Sequence, residues 1–293
     1  MYTRQLLFDQ LTPITTYHKL REYFKGELTF LFESAINTES GNFSFIFIGA
    51  RERIVHKDGS AVHIDEKGET HSIGSNPFGY LKSRYASIDS KHYKNLSNEL
   101  GIGFTDGFIG YIGYDAVKIF EPRLCSHMDP LHNDLSIPDM DLMRPKLVCA
   151  FSHKANKLTL LSFVDEIGED LDNVVEHLKQ PHHYLPMKKS PIDETKGTFA
   201  FDKATFFDMV AKSKEMIRSG DVFQILMSNR FTQYANIDHL SFYRTLRSKN
   251  PSPYMFLLDY EGFASAGSSP EVMVGLKDGH ILLRPIAGTR KRR

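Results

Sequence analysis

The chain has 293 residues, 41% of them hydrophobic and 25% charged, with 36 basic against 36 acidic side chains. This is globular composition, long enough for one large domain or two, and its formal neutrality excludes general binding to nucleic acid or anionic membrane, which needs a basic excess. Cys125 and Cys149 are too few for a disulfide framework, no apolar run follows Met1, and no segment reaches spanning length, so a reducing, cytoplasmic setting is expected.

In chain order, Leu28 to Phe32 is apolar and β-prone and ends in Glu33-Ser34, a strand end that carries a carboxylate and a hydroxyl. Phe43 to Ile48 reads as the next strand, and Arg53 to Ile64 as a hairpin around Asp58-Gly59. Short helices are expected over Asn76 to Tyr85 and Tyr93 to Leu100. In Gly107 to Asp115 glycines recur every third position between large apolar residues, which suits close packing between layers. It does not match the dinucleotide fingerprint, which opens a helix after a strand.

Lys146 to Phe151 and Leu158 to Val164 read as a hairpin, and Ile167, Leu171, Val174 and Leu178 as one face of an amphipathic helix. Gln180 to Pro191 contains three prolines and no period. The expected organisation is therefore a domain over residues 1–180, a linker over 181–197 and a second domain over 198–293. His182-His183 lie in extended linker with no Cys or carboxylate at ligand spacing, so no metal site is expected there.

Beyond Gly197, Asp202 is an N-cap and Phe206, Val210, Ser213 and Ile217 share a helical face that ends at Gly220. Val222 to Phe231 is expected as a strand with Gln224, Ser228 and Arg230 on one face, either emerging into water or lining a cleft. Asp238 caps a helix through Leu240, Tyr243 and Leu246, which stops before Asn250-Pro251. Tyr254 to Tyr260 and Phe263 to Gly267 are strands, and Val272 to Leu276 pairs with His280 to Leu283 around Asp278-Gly279. In the final Arg284-Pro285-Ile286-Ala287-Gly288-Thr289-Arg290, the backbone N–H groups and a hydroxyl suit an anionic small molecule, or the stretch is a strand end and turn.

Four ordered motifs carry a resemblance: Gly220 to Gln224, Asn250 to Met255, Gly267-Ser268-Ser269-Pro270-Glu271 and Arg284 to Arg290. With Phe32-Glu33-Ser34 and Gly107 to Asp115, they resemble the chorismate-utilising enzymes, in particular the anthranilate synthase component I family. The resemblance implies an α+β fold with a two-sheet β-sandwich core flanked by helices. It also implies a reaction in which ammonia adds to chorismate, the 4-hydroxyl leaves, and pyruvate is eliminated to give anthranilate. A glutaminase subunit would supply the ammonia, and magnesium would hold the ring carboxylate.

Carried over by motif, Gly288 and Thr289 would contact chorismate. Ser34, with Glu33 beside it, and Pro253, Tyr254 and Met255 would contact tryptophan as a feedback inhibitor. Ala287 stands where the p-aminobenzoate synthase relatives carry a nucleophilic lysine, so that activity is the runner-up. The family pattern continues past Arg290 into the magnesium carboxylates and a catalytic histidine. No catalytic residue or metal ligand is therefore assigned within 1–293, and this chain is expected to be inactive alone, or to act as a non-catalytic tryptophan- or partner-binding fragment.

Overall fold

The computed structural model describes all residues except 35–42, 130, 132–134, 278, 287 and 289–293. By its contacts the chain forms two compact units, Met1–Leu185 with Tyr243–Arg293, and Pro186–Phe242. Among the described residues, no helix is long and apolar enough to cross a membrane.

The first unit starts with β1 (Tyr2–Leu7), α1 (Pro13–Tyr23), β2 (Thr29–Glu33) and β3 (Phe43–Lys57). The hairpin strands β4 (Ser60–Ile64) and β5 (Thr70–Gly74) follow, then α2 (Pro77–Ala86), α3 (Ser90–Leu100) and β6 (Ile109–Ile112). Two single-turn helices, α4 (Val117–Phe120) and α5 (Cys125–Met128), precede β7 (Met140–Ser152), β8 (Lys157–Ser162) and α6 (Asp165–Lys179). In the second unit β9 (Thr198–Phe199), α7 (Lys203–Ser219) and β10 (Phe231–Thr232) lead to α8 (His239–Lys249), whose residues from Tyr243 onward belong to the first unit. That unit ends with β11 (Tyr254–Asp259), β12 (Ala264–Ser269), β13 (Gly275–Lys277) and β14 (His280–Leu282).

Ten strands form one antiparallel sheet in the order β1-β8-β7-β3-β2-β11-β12, with β4 and β5 extending from β3 and β6 pairing β7. The expected α+β class holds, and every ladder is antiparallel. Because pleated strands alternate their side chains, partners in register share a face. Phe30, Phe47, Val148, Leu161 and Leu258 thus form one buried layer, closed by Ile102 and Met143. Leu31, Ile46, Cys149, Leu160 and Leu257 form the other, fully buried on the face that receives α1 and α6.

The helices on that second face start and stop where their chemistry dictates. Thr12 accepts from Thr15 N at 3.1 Å and Thr15 Oγ1 accepts from Thr12 N at 2.9 Å, a capping box that opens α1 with Pro13 in its first turn. The periodic Ile167, Leu171, Val174 and Leu178 are all buried, as their spacing predicts. At the C-terminus of α6, Lys19 Nζ donates to Leu178 O at 2.8 Å and Gln180 O at 2.6 Å, so a buried cation satisfies otherwise orphaned carbonyls.

Strand β3 is longer than its sequence suggests, running 15 residues through a register shift between Ala50 and Glu52. The charged Arg51-Glu52-Arg53 sits in this buried strand because each charge has partners. Glu52 accepts from Arg84 Nε at 3.0 Å and Nη2 at 2.7 Å, from Arg144, and contacts His63 Nε2 at 3.2 Å. Asp106 accepts from Arg51 Nη2 at 2.5 Å and from Arg144. Burial alone would raise both carboxyls, yet the arginine hydrogen bonds and charges outweigh it and hold them below the usual carboxylate range. Arg53 forms a fork on Asp141 at 2.8 and 2.6 Å.

The glycine run behaves as a close-approach device. A β-carbon on Gly110, whose φ is 155°, would overlap the Asp141 carbonyl, and one on Gly113 would stand 2.9 Å from Asp139 O. β6 therefore lies against β7 as only a strand without side chains at those positions could.

In the second unit α7 is capped as expected, with Thr205 N donating to Asp202 Oδ1 at 2.7 Å and Gly220 at φ 86°. The expected strand from Val222 to Phe231 does not form; only Phe231 and Thr232 pair, with Phe199 and Thr198. Alternation alone makes no strand without a neighbouring ladder. Here the Asn229 side chain takes the Phe201 backbone N–H and C=O at 3.0 and 2.9 Å, and Phe223 and Leu226 stand in solvent.

Candidate functional site

The ends of β2, β7 and β12 and the starts of β3 and β11 lie along one rim of the large sheet. Met255 is opposite Glu33, Tyr254 opposite Ser269, and Phe43 opposite Ser152. On the rim's α1 side, Glu33 is buried and its Oε2 accepts from Tyr243 OH at 2.7 Å. Arg247 Nε lies 3.2 Å from the same oxygen. Tyr243 and Arg247 are four residues apart on α8 and so present to one face.

Nearby on the same face, Ser44 and His153 Nε2 are 2.8 Å apart, and Ser252 Oγ lies 3.3 Å from the buried Met255 sulfur. Burial, and then the Glu33 charge, push the Tyr243 phenol far above its ordinary value, so it stays a donor. Burial lowers the His153 imidazole, with Glu33 pulling it up and Arg247 pushing it down.

The residues expected to contact tryptophan are divided by the pleat. Met255 shares the Glu33 side, while Tyr254, with its partner Ser269, points to the opposite one; Pro253 is half-buried just before them. Ser34 follows Glu33 at the end of β2, and Phe43 begins β3. Phe43 opens on a cavity of about 860 Å³ whose walls include Tyr93, Ile102, Phe104 and Leu276. A ligand touching both sets would sit over the end of the sheet, with a buried carboxylate on one side and aromatic surface on the other. The sequence marks Tyr243 only as part of a helical face and does not mark Arg247; their i, i+4 spacing just before Asn250-Pro251 is the available signal.

Of the residues expected to contact chorismate, Gly288 is exposed, while Thr289 lies outside the described residues, as does Ala287. The two motifs that bear on that site are nonetheless joined, because Ile286 N donates to Glu271 Oε1 at 2.9 Å. Ser269, Glu271, Met273, Leu283 and Pro285 line a cavity of about 440 Å³ beside this contact. Glu271, which closes the Gly267–Glu271 motif, lines this cavity.

Among the described residues, the group with metal-ligand spacing is Asp65, Glu69 and His71, on the β4–β5 hairpin. Asp65 there already accepts from Lys67 N and Glu69 N, both at 2.9 Å, and the trio is remote in sequence from every family motif. Around Gly288, Glu271 already accepts a backbone bond and no second carboxylate is described in its cavity. Among the described residues, none around Gly288 forms a carboxylate set that would hold magnesium.

The sequence pattern of the chorismate binding enzymes matches residues 28–293. The chain belongs to the chorismate binding enzyme family. It is 33% identical over 306 residues to a protein of Aquifex aeolicus named anthranilate synthase component 1, covering 100% of this chain and 59% of that one. The namesake from Thermus thermophilus is 32% identical over 301 residues, covering 99% of this chain and 60% of that one. Anthranilate synthase component I from Streptococcus pneumoniae TIGR4 shares the fold at a TM-score of 0.65 and 24% identity, over 94% of this chain and 59% of that structure. The chain thus spans about three fifths of the length of those relatives.

Proposed function

We propose that this chain serves the formation of anthranilate from chorismate and ammonia, as part of an anthranilate synthase component 1. The observation that carries the reading is the match along the whole chain to relatives of that name, 33% identical over 306 residues in one case. The contact between Glu271 and Ile286 supports it, since it draws the Gly267–Glu271 and Arg284–Gly288 motifs to one cavity. There the exposed Gly288 N–H would receive an anionic oxygen of the substrate, and Thr289 is the second candidate contact.

In this reading a glutaminase subunit supplies the ammonia, magnesium serves the reaction of the whole protein, and tryptophan binds the sheet rim as inhibitor. The setting is the cytoplasm. The rim suits an aromatic amino acid because it carries a buried carboxylate, Glu33, and an aromatic side chain, Phe43, at neighbouring strand ends. Calorimetry with L-tryptophan and with chorismate, alongside chorismate-dependent anthranilate fluorescence in ammonium and magnesium, tests both halves. Saturable tryptophan heat is expected. Its absence would remove the regulatory half, and an aminated chorismate that is released without pyruvate loss would move the chain to the p-aminobenzoate branch.

A further inference from the structure

At the end of β3 opposite the rim, a separate cavity of about 650 Å³ opens beside the β3–β4 turn. Backbone bonds fix its walls. Asp139 N donates to His56 O at 2.8 Å and Gly113 N donates to Asp139 O at 2.7 Å, so the approach to β7, the end of β3 and the turn before α4 meet there. Four carboxylates line it, Asp58, Asp115, Asp129 and Asp139. Lys118 is the one lysine or arginine among the described lining residues, and Asp129 engages it at 3.1 Å. One lysine does not offset four carboxylates, so the cavity is negative. His56 is an independent sign that a group is wanting. Its side chain lines the cavity and is 7% exposed, and its Nδ1, 3.2 Å from Asp139 Oδ2, completes no hydrogen bond with any described residue. A buried polar atom left so is rare, because it keeps the cost of losing water without a bond in return.

A single metal ion does not fit this arrangement. Among the described residues, no third ligating side chain joins the His56–Asp139 pair within single-ion spacing. The negative charge is spread along the wall, and Ile119, Pro122 and Met128 add apolar surface to the same lining. We infer that the cavity binds an aliphatic polyamine, a ligand whose ammonium groups are held apart by methylene spacers. One ammonium group is received by Asp139 beside His56, another by Asp115, and the spacer lies against the apolar lining. Charge-assisted N–H···O bonds supply the attraction, and the separation of the two carboxylates selects against a monoamine or a compact ion. The inference does not depend on the anthranilate reading, since it concerns a different end of the sheet and a different ligand.

The test is calorimetry on this chain with putrescine, spermidine, propylamine and magnesium chloride. Saturable one-to-one heat is expected with putrescine and spermidine, and propylamine should bind about tenfold more weakly or worse, the worth of one charge-assisted hydrogen bond. Asp115→Asn, at an exposed position, should weaken both polyamines by about tenfold or more and leave propylamine where it was. Asp139→Asn should weaken all three amines, with its thermal midpoint showing that it is folded; Asp115→Asn carries the test if it is not. Glu166→Gln, which removes an exposed carboxylate on α6, should change nothing. No saturable heat with either polyamine, equal affinity for propylamine, or displacement of spermidine by an equal concentration of magnesium would overturn the site. So would a loss in Glu166→Gln as large as that in Asp115→Asn, which would show attraction to acidic surface in general.

Discussion

Gly110 in β6, whose register partner in β7 is Leu142, approaches the neighbouring Asp141 so closely that a β-carbon on the glycine would overlap the Asp141 carbonyl oxygen. The same carbonyl accepts from Tyr260 OH at 2.8 Å, which also crowds the position. Gly110→Ala must therefore push two strands apart, and a loss of roughly 3 kcal/mol in a urea titration is expected. Gly79, inside α2 with its nearest neighbour at 3.9 Å, is the contrast. Gly79→Ala should stabilise by about 0.5 kcal/mol, because only chain entropy changes.

Arg144 bridges Glu52 and Asp106 inside the sheet. Arg144→Met removes one cation and leaves two carboxylates short of donors, so a loss of about 3–5 kcal/mol is expected by denaturant unfolding. Arg4 and Asp172, paired at 2.6 Å in solvent, give the reference: Arg4→Ala should leave the unfolding midpoint where it is.

The same pair of carboxylates sets an acid limit. Both lie below the ordinary range in the folded chain, so the unfolded state binds protons first as pH falls. Their contribution is complete above about pH 4.5, the unfolded range of Asp and Glu, and is lost as pH falls through the lower folded values. Urea midpoints measured from neutral pH down to about pH 3 should fall steeply. Arg144→Met should flatten that slope.

Thr12 closes the capping box of α1. Thr12→Ala should cost about 1 kcal/mol and raise amide exchange in the first turn of that helix. Unchanged exchange there would show that packing of Tyr17 and Leu20, and not the cap, holds the helix start.

At the rim, Glu33→Gln keeps an acceptor for Tyr243 and removes the charge. Tryptophan affinity should fall by about ten- to a hundredfold, the range of a charge-assisted hydrogen bond. Ser34→Leu tests the opposite side of the pleat. It should weaken tryptophan and indole alike, since bulk there affects the ring and not the charged ends.

Local signals were enough wherever one element carries its own pattern. Leu171 and its periodic neighbours, the Asp202 cap and the Gly110 approach all follow from residues close in sequence. What the sequence hid was set by partners far away. Arg51-Glu52 falls between the expected strand over Phe43 to Ile48 and the hairpin expected from Arg53, and β3 runs through it because Arg84, Asp106 and Arg144 supply opposite charges. Val222 to Phe231 has strand alternation and no ladder to join beyond two residues. The site followed the same rule: the motifs named Ser34 and Tyr254, but nothing in them says that the pleat turns Tyr254 and Met255 apart, or that α8 brings an arginine to Glu33.

The register that sets Met255 against Glu33 has a consequence for how the chain is made. Strand β2 leaves the ribosome long before β11, and at about 5–20 residues per second the wait is on the order of 10–40 seconds. During that time one edge of β2, Thr29-Phe30-Leu31-Phe32-Glu33, has β3 on one side and nothing on the other. An unpaired, mostly apolar edge of this kind is a template for wrong pairing. Newly made chains should therefore depend on a holding chaperone until codon 259 has been translated, and nascent chains arrested before Tyr254 should crosslink to it through β2.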